Sequence, residues 1–385
     1  MNDRMKVLLA GHMSEPRAEW LAAQLTTDWA IETWTEDEPF DRFAALITEV
    51  DAMVGGRIKG AWPAVPDLKL YQVPFTGYEF ILPEDLPRGC TLCNAYGHEV
   101  AIAEFVLAGM LEWEIRLSRY DQEFRDRGWQ DRKPGIGPSH GELSGKTLGI
   151  VGYGHIGKAV AARAAAFGMR IIAVNRTPGE APPPLERLEG LDGFDGLLRE
   201  SDYVLTTLPT APETRGLFDA AKFNLMRGDA VLINVGRAPV VAEEDLYNAL
   251  RKKQIGGAFI DVWYGYPTPE DPERKPSRYP IWELDNVIMT PHCSSRSDAS
   301  RERRWMTVPR NLDRLAKGEP LRRVGLAATV IVPDLMAQHA AALAQHTVVQ
   351  TDTLTPPIGQ GAMGGHYTLA EMEAISGVRT SYLRS

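Results

Sequence analysis

The chain has 385 residues, which is enough for two or three domains that each bury a core of their own. Its 51 acidic and 42 basic residues give a formal charge of −9, which argues against a nucleic acid or an anionic membrane surface as the partner. No apolar run approaches the length of a membrane span, the first residues lack the apolar region of a signal peptide, and three cysteines are too few for a disulfide framework, so we expect a cytoplasmic protein.

The first hundred residues alternate between strand and helix patterns. Strands are predicted over residues 5–11, 31–35, 52–54, 68–73 and 91–94, and helices over residues 15–25 and 40–47. Such alternation predicts a parallel sheet covered on both faces. Cys90 and Cys93 form a C-x-x-C in a strand-like segment that has no second ligand pair nearby, so we predict no metal site.

One long helix is predicted over residues 99–127. Its first half is apolar, its second half is charged, and Gly128 ends it. A helix of this kind often bridges domains or forms a dimer interface, and the simplest alternative is a core helix with a solvated end. We expect the protein to be a homodimer.

The stretch from Thr147 to Gly157 is the most informative of the chain. An apolar strand leads into a G-x-G-x-x-G turn, followed by an Ala-rich helix and a second strand over residues 169–174. Gly152 allows the tight bend, Gly154 lets a pyrophosphate approach the backbone, and Gly157 lets the helix pack on the strand. The free N–H groups at the start of the helix then face the phosphates. The unit predicts a dinucleotide site at Gly152, Gly154, His155, Ile156 and Gly157, and the alternative is a glycine-rich turn without a ligand.

The end of the second strand indicates which dinucleotide is bound. An acidic residue normally binds the ribose 2′-OH at this point, but the sequence reads Asn175-Arg176-Thr177. A guanidinium suits bidentate phosphate binding, so NADP is favoured over NAD. The alternative is that Arg176 is a solvated surface residue and that both cofactors are accepted.

Further strands predicted over residues 203–208, 230–234, 257–262 and 287–290 bring the second sheet to about six parallel strands. We expect residues 1–100 and 295–324 to form one domain, residues 101–294 the cofactor domain, and residues 325–385 an unassigned tail, either a loose appendage or an arm over the cleft. The arginines of the last helical pattern, Arg301, Arg303 and Arg304, are interpreted as a solvated helix face.

Three residues of the second half follow parallel strands and carry the predicted chemistry. Arg237, Asp261 and His292 each stand at a carboxyl end, where side chains point into the ligand crevice. Arginine can grip a carboxylate with two parallel hydrogen bonds, and histidine can exchange a proton with a hydroxyl near neutral pH. Beside a nicotinamide these groups suit hydride transfer between a 2-hydroxy acid and a 2-oxo acid. Taken singly, Arg237 would be interpreted as a surface arginine and His292 as a structural histidine.

Together these motifs resemble the D-specific 2-hydroxyacid dehydrogenase family, which includes glyoxylate/hydroxypyruvate reductases, phosphoglycerate dehydrogenases and formate dehydrogenases. The resemblance runs from about residue 5 to residue 324 and rests on residues 152–157, 208–214, 234–237, 261–262 and 290–292. It implies an α/β fold of two doubly wound parallel-sheet domains, with a Rossmann dinucleotide-binding domain inserted into a flavodoxin-like substrate domain.

The resemblance also implies roles for individual residues. Arg237 would bind the substrate carboxylate, and His292 would be the acid/base. Asp261 would hold the nicotinamide carboxamide. The other implied cofactor contacts are Leu208, Pro209, Thr214, Val235, Gly236 and Ser295. The substrate loops would contribute backbone N–H groups at Val54, Gly55, Thr76 and Gly77.

The sequence departs from the family at Tyr266, which stands where a glutamate usually partners the histidine. A carboxylate raises the pKa of a neighbouring imidazole far more than a phenol does, so we expect His292 to lose its extra proton at lower pH. Formate dehydrogenases also lack this glutamate, but His98 stands where they carry an asparagine, so a formate enzyme is kept as an alternative.

The sequence therefore predicts an NAD(P)-dependent oxidoreductase that acts on a small 2-oxo acid such as glyoxylate or hydroxypyruvate, with Arg237, His292 and Tyr266 as the catalytic group. The alternative from a different class is a nucleotide-sensing or scaffolding protein that keeps the cofactor fold without turnover.

Overall fold

The computed structural model describes residues 4–56, 58, 62–65, 67–78, 81, 86–87, 89–129, 139–322 and 324–327. Two sheets organise these residues. Within these ranges no helix is long and apolar enough to cross a lipid bilayer.

The first sheet is built from the first hundred residues. Its parallel strands are β1 (Met5–Ala10), β2 (Trp29–Trp34), β3 (Ala52–Gly55), β4 (Leu70–Gln72) and β5 (Thr91–Cys93), and helices α1 (Ala18–Gln24) and α2 (Phe40–Ile47) connect the early strands. The order β2-β1-β3-β4-β5 is the flavodoxin-like order. The fold predicted for this part of the chain is confirmed.

The long helix predicted over residues 99–127 is wrong as a single element. The structure has two helices, α3 (Glu99–Ile115) and α4 (Leu117–Arg127), because Arg116 between them takes a left-handed backbone with φ 57° and ψ 43°. α3 packs six buried residues into the core, whereas α4 buries none. The break lets the charged half leave the core that holds the apolar half. A Cβ at Gly109 would lie 2.2 Å from the Phe259 ring, so α3 packs directly on the second sheet.

The second sheet has seven strands. They are β6 (Thr147–Val151), β7 (Arg170–Val174), β8 (Arg187–Glu189), β9 (Tyr203–Thr206), β10 (Val231–Asn234), β11 (Gly257–Ile260) and β12 (Val287–Met289). Helices α5 (His155–Ala166), α6 (Phe194–Glu200), α7 (Ala220–Phe223) and α8 (Glu243–Arg251) connect them. The order β8-β7-β6-β9-β10-β11-β12 reverses between β6 and β9, which is the switch point where ligands bind in doubly wound folds.

The predicted sheet of about six strands lacked β8. This three-residue edge strand is half-buried throughout, and both of its charged side chains are paired. Arg187 bonds Glu189 at 2.7 Å and Glu200 at 2.7 Å. A strand held at its edge by ion pairs carries no apolar run that a sequence pattern could detect.

The chain then returns to the first sheet through helices α9 (Asp298–Trp305) and α10 (Thr307–Ala316) and strand β13 (Val324–Ala327). β13 pairs antiparallel with β5, so the first residues of the unassigned tail form a sheet edge. The Asn311 side chain on α10 donates to Gln72 Oε1 (2.6 Å), which ties the helix to β4. The predicted tail covers residues 325–385. From residue 328 onward it lies outside the described residues, and so do both interpretations of it.

Candidate active site

The glycine turn between β6 and α5 has the geometry that a dinucleotide needs. Gly152 has φ 100°, a conformation that side chains disfavour, and its N–H donates to the Val174 carbonyl (2.9 Å). A Cβ at Gly157 would lie 2.6 Å from the Gly152 carbonyl, so α5 packs against the turn. No heavy atom would lie within 4 Å of a Cβ at Gly154, where α5 begins. The described residues therefore leave open space at the N-terminus of the helix, and that space fits a pyrophosphate.

The residues expected to select the cofactor follow β7. The Asn175 N–H donates to the Glu189 carbonyl (3.0 Å), which fixes the turn against β8. Arg176 and Thr177 are exposed just beyond it. The guanidinium is thus on the surface at the end of β7, as a contact to a ribose phosphate requires.

The loops after β9 and β10 form one wall beside the turn. The Thr214 hydroxyl accepts from the Ala211 N–H (2.8 Å) and donates to the Pro209 carbonyl (2.7 Å), so it fixes the loop of which Pro209 is an exposed part. A Cβ at Gly236 would lie 2.7 Å from the Leu208 carbonyl. Only a glycine allows these two backbones to approach, and Val235 beside it is buried.

Asp261 at the end of β11 holds the loop that carries His292. Its carboxylate is fully buried. It accepts three hydrogen bonds, from the Thr290 hydroxyl (2.7 Å), the Cys293 N–H (2.8 Å) and the Ser294 N–H (3.0 Å). The Trp263 indole N–H also donates to the Thr290 carbonyl (2.8 Å). These bonds hold His292 in a left-handed backbone with φ 51°, which is uncommon for a residue other than glycine. Ser295 follows on the same loop and is half-buried.

Tyr266 lies beside the imidazole, in the place of the usual glutamate. Its hydroxyl oxygen accepts from the Trp263 N–H (3.0 Å) and lies 3.0 Å from His292 Nδ1. A carboxylate can only accept a hydrogen bond, but a phenol can donate to a neutral imidazole or accept from a protonated one. Tyr266 therefore bonds both states of His292 and does not favour the charged one as a carboxylate would.

Burial lowers the pKa of His292 below its ordinary value, and the nearby positive charges of Arg237 and Arg296 lower it further against the opposing charge of Asp261. The sequence prediction compares His292 with a histidine that has a glutamate partner, and that comparison stays a prediction. The Arg237 charge also lowers the pKa of His98, and it opposes the burial that raises the pKa of Tyr266. Its Nη1 donates to the Gly236 carbonyl (3.1 Å). The guanidinium, the imidazole and the phenol thus lie within electrostatic reach of one another.

The opposite side of the cleft carries the loop of Thr76 and Gly77. The Thr76 hydroxyl donates to the Ala95 carbonyl (2.8 Å), and the Asn94 amide donates to the Thr76 carbonyl (2.8 Å). His98 Nδ1 lies 3.1 Å from the Thr76 oxygen. Because the threonine proton is given to Ala95, His98 is the donor in this contact. The loop is held at Thr76 by its hydroxyl and by its carbonyl, and Thr76 and Gly77 are half-buried.

Val54 lies in a strand, as the sequence predicts for residues 52–54, and not in the loop that the family resemblance implies. It is part of β3, pairs with Leu9 and Gln72 on either side, and buries its side chain completely. An apolar residue at the centre of a parallel sheet packs its side chain into the core, and the implied contact of the Val54 N–H with a substrate stays a prediction. Gly55 ends the strand against β1, where a Cβ would lie 2.6 Å from the Ala10 carbonyl.

The structure adds residues to this cleft that the sequence did not single out. His98 is only 8% exposed, and its pKa falls to about 4 mainly through burial. Arg304 is half-buried, so its assignment to a solvated helix face is wrong. The Tyr96 ring packs on the His155 ring with centroids 4.9 Å apart, which joins the segment before α3 to the glycine turn. The sequence offered a single signal, the position of His98 relative to the formate enzymes.

Comparison with known proteins gives consistent relatives. The model of the family described as D-isomer specific 2-hydroxyacid dehydrogenase, NAD binding domain, matches residues 107–294. Glyoxylate reductase of Thermococcus onnurineus is 32% identical over 308 residues, covering 77% of this chain and 89% of its own. Glyoxylate reductase of Thermococcus litoralis is 33% identical over 305 residues, covering 76% and 88%.

Solved structures agree with these relatives. A D-isomer specific 2-hydroxyacid dehydrogenase family protein from Aeromonas salmonicida superposes with a TM-score of 0.68 at 26% identity, covering 85% of this chain and 100% of that one. An NADPH-dependent glyoxylate/hydroxypyruvate reductase from Sinorhizobium meliloti, solved with NADP and sulfate, superposes with a TM-score of 0.64 at 25% identity, covering 85% and 100%.

Proposed function

Because the chain belongs to the D-isomer specific 2-hydroxyacid dehydrogenase family, we propose that it reduces a small 2-oxo acid to the D-2-hydroxy acid with NADPH. It is an NAD(P)-dependent hydroxyacid oxidoreductase, and the formate and non-catalytic alternatives are not favoured. The observation that carries the proposal is the meeting of Arg237, His292 and Tyr266 in one cleft beside the glycine turn.

The cofactor would lie across the carboxyl ends of β6, β9 and β10, where the nicotinamide supplies the hydride when it is bound. The turn over residues 152–157 would hold the pyrophosphate, and Arg176 would bind the 2′-phosphate of NADP. The exposed position of Arg176 supports NADP, as does the NADPH dependence of the Sinorhizobium meliloti relative.

The substrate would be oriented by both sides of the cleft. Arg237 would bind its carboxylate, helped by the N–H groups of Thr76 and Gly77. His292 would give its proton to the carbonyl oxygen as the carbonyl carbon is reduced, and it would take the proton back in the reverse direction. Tyr266 would hold Nδ1 of the His292 ring. Asp261 would position the loop that carries His292 and would also face the cofactor. The glyoxylate reductases among the relatives support glyoxylate or hydroxypyruvate as substrates.

A second copy of the chain is proposed to cover α4. Leu117, Phe124 and Trp129 are 65%, 51% and 62% exposed, and the rings of Phe124 and Trp129 pack edge to face at 4.9 Å. Leu117 and Phe124 are seven residues apart and share a helix face. Clustered exposed apolar side chains mark interaction surfaces, which supports a homodimer. Sedimentation of the wild type against Phe124→Asp tests this: a dimer that becomes a monomer is expected, and a wild-type monomer would contradict it.

Steady-state assays test the proposed activity. The full chain is assayed with NADPH and NADH against glyoxylate, hydroxypyruvate, pyruvate and formate. We expect reduction of 2-oxo acids with NADPH preferred. Arg176→Gln should raise the KM for NADPH about 10- to 100-fold with little change for NADH, since it removes a charge-assisted phosphate contact. Arg310→Gln, an exposed charge removal on α10, is the control. Absence of turnover on every 2-oxo acid would overturn the proposal.

A further inference from the structure

The cleft contains a second cation that the proposed reaction leaves unused. Arg304 lies near the end of α9, and its Nε is shielded from solvent without a hydrogen-bond partner among the described residues. Burial lowers the pKa of its guanidinium, and the charge that acts on it, from Arg301, is also positive. A desolvated cation without a counter-ion is unfavourable, so an anion arriving here would be stabilised.

Contacts between α9 and the segment before α3 fix the position of Arg304. Arg303 Nε donates to the Gly97 carbonyl (2.8 Å). A Cβ at Gly97 would lie 2.9 Å from Arg303 Cβ and 3.6 Å from the Arg304 backbone nitrogen, so the two segments are in direct contact. Arg304 is thereby placed next to His98, the residue after Gly97.

His98 connects Arg304 to the predicted carboxylate site. Burial, and then the charges of Arg304 and Arg237, lower its pKa to about 4 against the opposing charge of Glu99. His98 is therefore neutral near neutral pH. It bonds Thr76, whose backbone belongs to the substrate loop. Arg237 and Arg304 thus both lie close enough to one neutral imidazole to lower its pKa.

One carboxylate of the described residues faces this part of the cleft. Glu99 lies 4.0 Å from His98 Nδ1 and accepts a hydrogen bond from the Gly97 N–H (2.9 Å). No ion pair of Arg304 with any carboxylate is found in the described ranges. Arg237 and Arg304 therefore both act on the neutral His98, and Glu99 is the acidic group whose charge opposes them there.

We propose that the preferred substrate is a 2-oxo acid with a second acidic group, whose distal carboxylate binds Arg304 while its C1 carboxylate binds Arg237. The inference rests on the proposed function and names its substrate class. A monocarboxylate such as glyoxylate would neutralise Arg237 alone. A dicarboxylate would also supply the counter-charge that the half-buried Arg304 guanidinium lacks.

Kinetics with a matched pair of substrates tests the proposal. Pyruvate and oxaloacetate differ by one carboxylate. Arg304→Gln should lower kcat/KM for oxaloacetate about 10- to 100-fold, the range of one charge-assisted hydrogen bond, and leave pyruvate little changed. Arg304→Lys should recover part of the loss, because it restores the charge without the planar fork. Arg310→Gln is the control, since Arg310 is exposed on α10 and its charge does not act on Arg304.

Equal losses on both substrates, or no loss on either, would overturn the proposal and leave the 2-oxo acid reductase in place. Calorimetric titration of the NADP⁺-loaded chain with D-malate and D-lactate separates the two claims. Tighter binding of malate by the wild type that Arg304→Gln abolishes, without turnover of any 2-oxo acid, would retain the dicarboxylate site and overturn the proposed activity. Equal affinity of the wild type for the two acids would overturn the dicarboxylate site even if both are turned over.

Discussion

The two sides of the cleft hold their functional side chains by different means. On the cofactor side, Asp261 fixes the His292 loop through three hydrogen bonds, two of them to backbone N–H groups within 33 positions along the chain. On the substrate side, Arg303 of α9 bonds Gly97, 206 positions away. The first side depends on local backbone geometry, whereas the second depends on how distant elements pack. Substitutions on the first side should therefore affect the chemistry itself, and those on the second should affect which substrate is accepted.

The largest effect is expected at the guanidinium of the cofactor side. Arg237→Lys keeps the charge and removes the planar fork that would bind a carboxylate with two bonds. We expect kcat/KM for 2-oxo acids to fall about 100-fold, since a misplaced substrate reacts slowly. Arg310→Lys, at an exposed position on α10, serves as the control in the same steady-state assay. A kcat/KM equal to that of the wild type would remove Arg237 from the carboxylate site.

A smaller loss is expected when the support of the His292 loop is weakened. Asp261→Asn places an amide where a carboxylate oxygen accepts from the Cys293 and Ser294 N–H groups. One buried donor then loses its acceptor, which should lower the free energy of unfolding by about 1–3 kcal/mol. The relaxed loop should lower kcat about 10-fold or more.

Urea unfolding and steady-state rates measure the two effects of Asp261→Asn. The control is Asp285→Asn, whose side chain is 79% exposed beside Lys253. If Asp261→Asn were as stable and as active as this control, Asp261 would not be the residue that positions the loop.

The smallest effect is a displacement along the pH axis. Burial holds the pKa of His292 below its ordinary value, and no carboxylate stands at position 266 to raise it. Reduction uses the protonated imidazole, so its rate should fall as pH rises through that low pKa. Oxidation uses the neutral ring and should persist to lower pH. Tyr266→Glu adds a carboxylate beside Nδ1, raises the pKa and moves both limbs to higher pH.

Rate–pH profiles in both directions measure this displacement. Tyr266→Phe removes the hydroxyl without adding charge and should leave the limbs where the wild type has them. Identical profiles for the wild type and Tyr266→Glu would show that the phenol does not set the proton affinity of His292.

The contrast between the two sides also explains what the sequence could predict. The strands before and after the glycine turn and the positions of Arg237 and His292 at strand ends follow from residue types at short spacing. That Tyr266 replaces a glutamate follows from the family resemblance. The fold class follows from the alternation of strands and helices, and it is confirmed. These features depend on neighbours along the chain.

Other features depend on tertiary packing and could not be predicted in the same way. Arg116 takes a left-handed backbone, and the sequence has no glycine or proline there that would predict the helix break. In the sequence Arg304 is one of several arginines on a polar helix. Only the packing of that helix against Gly97 brings Arg304 near His98. The family resemblance implies a substrate loop at Val54, whereas the residue pairs with neighbours on both sides within the sheet.

The central claim is that His292 exchanges the proton of a 2-oxo acid reduction, and the most direct measurement is nicotinamide oxidation by His292→Gln under saturating NADPH and glyoxylate. The account predicts that the wild type turns over and that the variant loses about 100- to 10,000-fold in kcat while still binding NADPH, since general acid catalysis contributes that range. A variant that reduces glyoxylate as fast as the wild type would contradict the account.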